Sequence, residues 1–212
     1  MQHQMIWDLA LDHLRRSDPS WETTLGLWRS EVPAAKSDRE LLEEYGWVVA
    51  CCGLTAKAIR PRWARLGEAL GGWEPERAAT APRGEVLQVL ANRRKIDAIQ
   101  SMASDLTRSP GQMTRLAKLP DKEALAWMST LPFIGSQNRY HLARNLGWDV
   151  VAQRGPVVKL AGMLGTSPEN LCRAISEHTS ERLRVVDLVL WQWSCEIGEK
   201  ELRTLAVFFG KE

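Results

Sequence analysis

Apolar residues recur at steps of three and four along almost the whole chain, and nowhere do they alternate over a stretch bounded by turn residues. An amphipathic helix needs the first spacing and a half-buried strand the second, so the pattern predicts an all-α protein. The stretch SDRELLEEYGWVVACCGL opens on a capping box, Ser37 to Glu40, and then carries Leu41, Tyr45, Val48 and Cys52 on one stripe. EVLQVLANRRKIDAIQSMASDL repeats the pattern with Val86, Leu90, Ile96, Ile99 and Met102. SPENLCRAISEHTS begins with Ser167 and Pro168 in the order that helix starts favour. Clusters of Pro, Gly and Ser at RSDPSW, EVPAAKSD, LGGWEPERAATAPRG, TRSPGQ and LGTSP divide the chain into about ten predicted helices. The longest break, Gly71 to Gly84, is read as a connector, and no internal repeat points to a solenoid.

A chain of 212 residues fits one large domain or two small lobes, and 44% apolar residues suffice to bury a core in either. The longest apolar runs, WVVACCGL and VVDLVLW, fall far short of the ~20 residues a membrane helix needs. No charged-then-apolar leader opens the chain, so the expected location is cytoplasmic. Cys51, Cys52, Cys172 and Cys195 have neither zinc spacing nor a disulfide framework, and buried, reduced thiols are expected. The net charge of +2 decides little by itself, but basic residues bunch at AIRPRWAR, at NRRK and between Arg139 and Lys159, which permits an anionic partner. Of the ten tryptophans, Trp47, Trp127, Trp191 and Trp193 lie in apolar periodic segments and are expected in the core. Trp63 and Trp148 neighbour basic residues and are the ones placed to touch a base.

The segment ALAWMSTLPFIGSQNRYHLARNLG predicts a helix ending near Ser129, a turn over Leu131 to Gly135, and a second helix from Ser136. Leu131 and Ile134 would bury in the angle between the helices, Pro132 would stiffen the turn, and Gly135 would let a ligand approach the backbone. Free amides at the start of the second helix favour a phosphate, although the same pattern also suits an ordinary helix-helix turn.

These residues resemble the helix-hairpin-helix motif of the DNA glycosylase superfamily that includes endonuclease III and the adenine glycosylases. Leu131, Pro132, Ile134 and Gly135 match its Leu-Pro-Gly-x-Gly pattern. Gly147 with DVV, and Lys159-Leu160-Ala161, match the segments that follow. Upstream, ELLEEYGWVVACCGLTAKAIRPRW is similar to the first core helix of the superfamily, and NRRKIDAI to its Asn-x-x-Lys helix. The resemblance runs from about Asp38 to Gly198. It implies N-terminal helices over 1–36 packing on the core, and one glycosylase-like unit over 37–212 built as two lobes with the ligand cleft between them. One lobe would hold the first core helices, and the other would combine the N-terminal segment with the last helices. A monomer acting on DNA is implied, with no cofactor beyond a monovalent cation on the carbonyls of the hairpin. The DNA contacts implied are Leu131, Phe133, Ile134, Gly135, Gln137 and Asn138 at the hairpin. Arg139, His141, Arg154 and Lys159 would follow further along.

Three departures stand beside the matches. Phe133 replaces a hairpin glycine. Gln137 stands where bifunctional members carry the lysine of strand cleavage, and an amide forms no Schiff base. Arg154 stands where the superfamily carries the aspartate that stabilises positive charge on the sugar. Four closely spaced cysteines for an iron-sulfur cluster are also missing, with only Cys195 nearby. Three carboxylates are candidates for the vacated role: Asp149, five residues before Arg154; Glu44 on the first core helix; and Asp187 within VVDLVLW. Each also has a plain structural reading, as a turn cap, a solvent-facing acid and a buried partner of Arg184 or Arg154 respectively. His141 is a candidate proton shuttle or phosphate contact, or simply structural.

The leading expectation is a monofunctional hydrolase that turns a modified or damaged base out of DNA and cleaves its glycosidic bond. EYGWVV, IGSQNRYHLARNLGWDVV and VDLVLW also resemble a divergent bacterial and phage-associated branch, which implies modified phage DNA as substrate and a role in antiviral defence. A transferase of thymine hypermodification is the alternative, with Arg154 binding a pyrophosphate leaving group. A non-catalytic binding module is the third.

Overall fold

The computed structural model describes residues 2–209; their regular secondary structure is helical, with no strand among the described residues. The helices are α1 (Gln2–Ser17), α2 (Trp21–Ser30), α3 (Asp38–Cys51), α4 (Ala56–Ala69), α5 (Pro75–Thr80), α6 (Arg83–Val89) and α7 (Arg93–Arg108). They continue with α8 (Gln112–Leu116), α9 (Asp121–Thr130), α10 (Gly135–Asn145), α11 (Pro156–Met163), α12 (Pro168–Thr179) and α13 (Leu183–Phe209). Helix α13 is interrupted at Gly198, whose φ of 79° and ψ of 169° are not helical.

The chain divides into two compact units. One comprises Met1–Glu31 with Gly147–Glu212, and the other Val32–Leu146. In the first, α1, α2 and α11 to α13 surround a core that includes Ile6, Leu14, Trp21, Leu160, Ile175 and Val189. Trp21 and Trp28 meet edge to face at 5.3 Å there. Two buried or half-buried arginines at the start of α13 hold the ends of this unit. Arg184, 1% exposed, donates to the Trp28 carbonyl and to Glu31 at 2.8 Å. Arg182 donates to the carbonyls of Glu31 and Gly147, at 2.6 and 2.8 Å.

The second unit is organised around α3. The expected capping box is present, with Ser37 Oγ accepting from the Glu40 amide and the Glu40 carboxylate accepting from the Ser37 amide. Leu41, Leu42, Tyr45 and Val49 are fully buried along one stripe. The Asp38 carboxylate accepts from the amides of Gly111, Gln112 and Met113, at 2.6, 3.3 and 2.7 Å, and so caps α8 from a distant segment. At the other end of α3, the Lys95 ammonium donates to the carbonyls of Ala50 and Cys52, at 2.8 and 2.6 Å. These are among the carbonyls that a helix end leaves without partners. NRRK is therefore only partly a surface cluster: Asn92 caps α7 through the Lys95 amide, and the Lys95 side chain, 4% exposed, turns inward.

Thirteen helices among the described residues exceed the ten expected: α5 lies in a segment read as a break, the short α8 begins at the edge of another, and the pattern read from Glu85 to Leu106 divides into α6 and α7. The segment from Gly71 is not a plain connector. Trp73, at φ 65° and 3% exposed, lies where Gly46 and Gly67 leave room for its indole. A Cβ on either glycine would come within 2.8 Å of that ring. Trp63 stacks on Trp73 at 4.7 Å and meets Trp47 edge to face at 5.0 Å, so its ring is committed to packing. Trp148, the other tryptophan expected near a base, is 4% exposed. The cysteines are free thiols; Cys172 is buried, Cys51 and Cys52 are half-buried, and Cys195 is exposed, against the expectation that all would be buried.

Candidate nucleic-acid interface

The segment joining α9 to α10 is fixed from both sides. Leu131 ends α9 in extended conformation, and its carbonyl accepts from the Ile134 amide at 3.1 Å. Ile134 is 1% exposed and anchors the turn in the core, whereas Leu131 is only half-buried. On either side of Ile134 the backbone is left-handed, at Phe133 (φ 68°) and Gly135 (φ 53°). The conformation that a glycine adopts freely is thus carried by a phenylalanine, at a cost of about 1–2 kcal/mol. Surrounding bonds hold it there. Asn138 Nδ2 donates to the Phe133 carbonyl at 2.9 Å, the Cys52 thiol donates to the same oxygen at 3.5 Å, and Asn138 also donates to Cys52 Sγ at 3.4 Å. The Tyr45 hydroxyl donates to the Pro132 carbonyl at 3.1 Å, and burial raises its pKa, which keeps it a donor.

Helix α10 starts without a side-chain cap, and Gly135, Ser136 and Gln137 are exposed. A Cβ at Gly135 would meet open space, so the approach to these amides is clear. The first turn of α10 therefore offers outward amides at the positive end of a helix dipole. The carbonyls of Leu131, Pro132 and Phe133 all accept bonds from protein donors, so a cation resting on them would compete with these bonds.

Further along α10 the side chains turn to other work. Arg139 is half-buried and lies over the Tyr140 ring at 4.9 Å. Burial lowers the His141 imidazole to about 3, the nearby Arg144 guanidinium adding to the effect, so it is neutral at physiological pH rather than a cation for phosphate. The linkage has a definite sign. The unfolded state takes up a proton as pH falls below the usual 6.5 and the folded state does not, so stability declines between 6.5 and about 3. His141→Leu should remove about 1.4 kcal/mol per pH unit from that acid slope, measured by urea unfolding at pH 6.5 and 5. An unchanged slope would show that His141 is not the group responsible. Arg144, 1% exposed, donates to Asn145 Oδ1, and Asn145 Nδ2 donates to Glu44 at 2.8 Å. Glu44 therefore links α3 to α10 and is only half-buried.

The remaining candidates lie in the first unit. Asp149 is exposed, and its Oδ1 accepts from the Arg184 amide at 2.9 Å, fastening the start of α13. Arg182 Nε lies 3.9 Å from the same oxygen. Asp187 is fully buried and accepts from the Ala152 amide at 3.0 Å, so it holds the loop that carries Arg154. Arg154 is exposed and makes no hydrogen bond or ion pair with the described residues; neither aspartate takes it as a partner. Gly155 (φ 101°) and Pro156 follow it directly and begin α11. Lys159 is exposed but held by Glu199 at 2.6 Å. Bonds from Lys159 and Arg203 lower the Glu199 carboxyl to about 2.

Tyr45 and Cys52, which support the hairpin, and Asn145, which joins α10 to Glu44, were not among the sequence candidates. Tyr45 and Cys52 were legible only as members of an apolar stripe. Among the described residues no group of three or more His, Cys, Asp or Glu could hold a metal ion. No described helix is long and apolar enough to cross a membrane.

No family model matches the chain, and no curated protein matches it either. Among solved structures, the chain is similar to the 8-oxoguanine glycosylase/lyase of Methanocaldococcus jannaschii, crystallised with a 15-mer DNA containing 8-oxoguanine. The TM-score is 0.62 and the identity 19%, over 92% of this chain and 98% of that one. At that identity the similarity is one of fold, and it makes this all-α chain a helix-hairpin-helix glycosylase-like fold.

Proposed function

We propose that the protein binds DNA through the 131–135 hairpin and hydrolyses the N-glycosidic bond of a base turned out of the duplex. The hairpin carries this reading. Its uncapped amides, open approach at Gly135 and externally braced backbone suit a phosphate oxygen. Phe133 and Leu54, 38% and 50% exposed, are apolar side chains available to press against bases. In the reaction, water adds to the sugar carbon and the base leaves with a proton. A carboxylate stabilises the positive charge that builds on the sugar. Asp149 is the candidate that combines exposure with a fixed position, ahead of Glu44 and of the fully buried Asp187. Gln137 excludes a Schiff base at its position, so base release without strand cleavage is the expected outcome. Modified bases, those of phage DNA included, are the substrates to try first.

Gly135→Asp would set a negative charge against the phosphate. DNA affinity should fall about tenfold or more for all sequences alike, because a phosphate contact carries no base information. Unchanged affinity at moderate salt would remove the hairpin from the interface. Incubation with DNA of several kinds, read for abasic sites and for released bases by mass, tests the chemistry.

The exposed, unpartnered guanidinium of Arg154 beside the start of α11 favours a second reading, in which it binds a pyrophosphate leaving group and the protein transfers an amine to an activated base. Turnover that depends on an added amine donor, with no abasic sites, would select it.

A further inference from the structure

Helix α4 begins five residues after the end of α3, and the turn before it is fastened to the hairpin, since Cys52 both donates to the Phe133 carbonyl and accepts from Asn138. Thr55 Oγ1 caps α4 through the Ala58 amide. Helix α4 carries Lys57, Arg60, Arg62 and Arg65 against a single acid, Glu68 in its last turn, and so keeps an excess of three positive charges. Ile59 and Leu66 bury the opposite side, while Lys57, Arg62 and Arg65 are exposed within one half of the circumference of the helix. None of these three makes an ion pair with a described residue. Several other surface arginines are paired closely: Arg16 with Asp12, Arg83 with Asp97, Arg173 with Glu169. A row of like charges left uncompensated raises the energy of the folded chain and is relieved by an anionic partner.

We propose that the exposed face of α4 is a second backbone-binding surface for duplex DNA, continuous with the hairpin and sequence-independent. The inference rests on the DNA-binding part of the function proposed above. From Lys57 to Arg65 the helix advances roughly 12 Å. Duplex DNA presents a phosphate every ~3.4 Å of axis on each strand, so this length spans about three phosphates. The neighbouring tryptophan, Trp63, is packed on Trp73, so this face presents charge rather than an aromatic platform. That favours duplex backbone over unstacked single strands, which bind by base stacking.

The test neutralises the face without removing helix formers: Lys57→Gln, Arg62→Gln and Arg65→Gln together, compared with Lys118→Gln and Lys122→Gln, exposed cations elsewhere in the same unit. Binding of the whole protein to a short unmodified duplex is measured over a salt series, with thermal unfolding as a check on folding. The slope of log affinity against log salt should fall by about 0.9 for each phosphate that is no longer neutralised, so by roughly 2–3 for the triple variant, and by much less for the control. A triple variant with the parent slope overturns the α4 surface. If Gly135→Asp still weakens binding in that case, the hairpin reading survives. Loss of slope in the triple variant with an unaffected Gly135→Asp would do the reverse. Binding to vesicles containing phosphatidylserine that depends on these three cations, with no binding to the duplex, would also overturn the inference.

Discussion

Replacing Asp149 by asparagine lowers the rate of base release about a hundredfold or more and leaves DNA affinity unchanged, if Asp149 is the carboxylate that meets the charge developing on the sugar. The substitution is informative because it separates two roles. An asparagine oxygen still accepts from the Arg184 amide, so the start of α13 keeps its bond. Only the negative charge is lost, and that charge matters most in the transition state. The nearby Arg182 pair is long, at 3.9 Å, and partly exposed, so its loss has little weight. Arg154→Ala should behave oppositely, weakening DNA binding by about 1–3 kcal/mol while base release persists at saturating protein. An Asp149→Asn variant as fast as the parent would exclude Asp149. Glu44→Gln would then be next, since glutamine can still accept from Asn145.

The largest effect on stability is expected at Lys95. Lys95→Met keeps the stem buried but removes both donors from the end of α3, leaving the carbonyls of Ala50 and Cys52 without them. Hydrogen bonds to a charged group contribute about 1.5–3 kcal/mol each, and relief of the buried charge offsets part of the loss. A net destabilisation of about 3 kcal/mol is expected, read as a lower urea midpoint at unchanged slope. A variant as stable as the parent would mean that the Lys95 bonds contribute nothing net.

The contrast between Lys95 and the α4 cations shows what a sequence can and cannot express. Local signals were legible: the Ser37–Glu40 box, the Ser167 cap and the apolar stripes all depend on residues a few positions apart. So did the hairpin, where Ile134 and Gly135 could be placed from their neighbours alone. What escaped depends on distant partners. Helix α8 is too short to stand alone and is capped by Asp38, far away in sequence. Lys95 looks like one more surface cation until the end of α3 is seen to need a donor. Asp149 looked like a turn cap beside Gly147 and instead serves a helix that starts at Leu183. His141, on a helix that starts with three exposed residues and carries several polar ones, gave no sign that burial would hold it neutral.

The two bonds made by Arg182 bear on how such a chain could have been assembled. Glu31 and Gly147, where the chain leaves the first unit and returns to it, are gripped by one guanidinium. In connectivity, Val32–Leu146 is an insertion whose ends are already closed by the host unit. The entropy of closing a loop grows only with the logarithm of its length, so the host is nearly indifferent to how many residues lie between those two points. Closing the chain at these two points therefore sets no particular length for the inserted segment, hairpin and basic helix included.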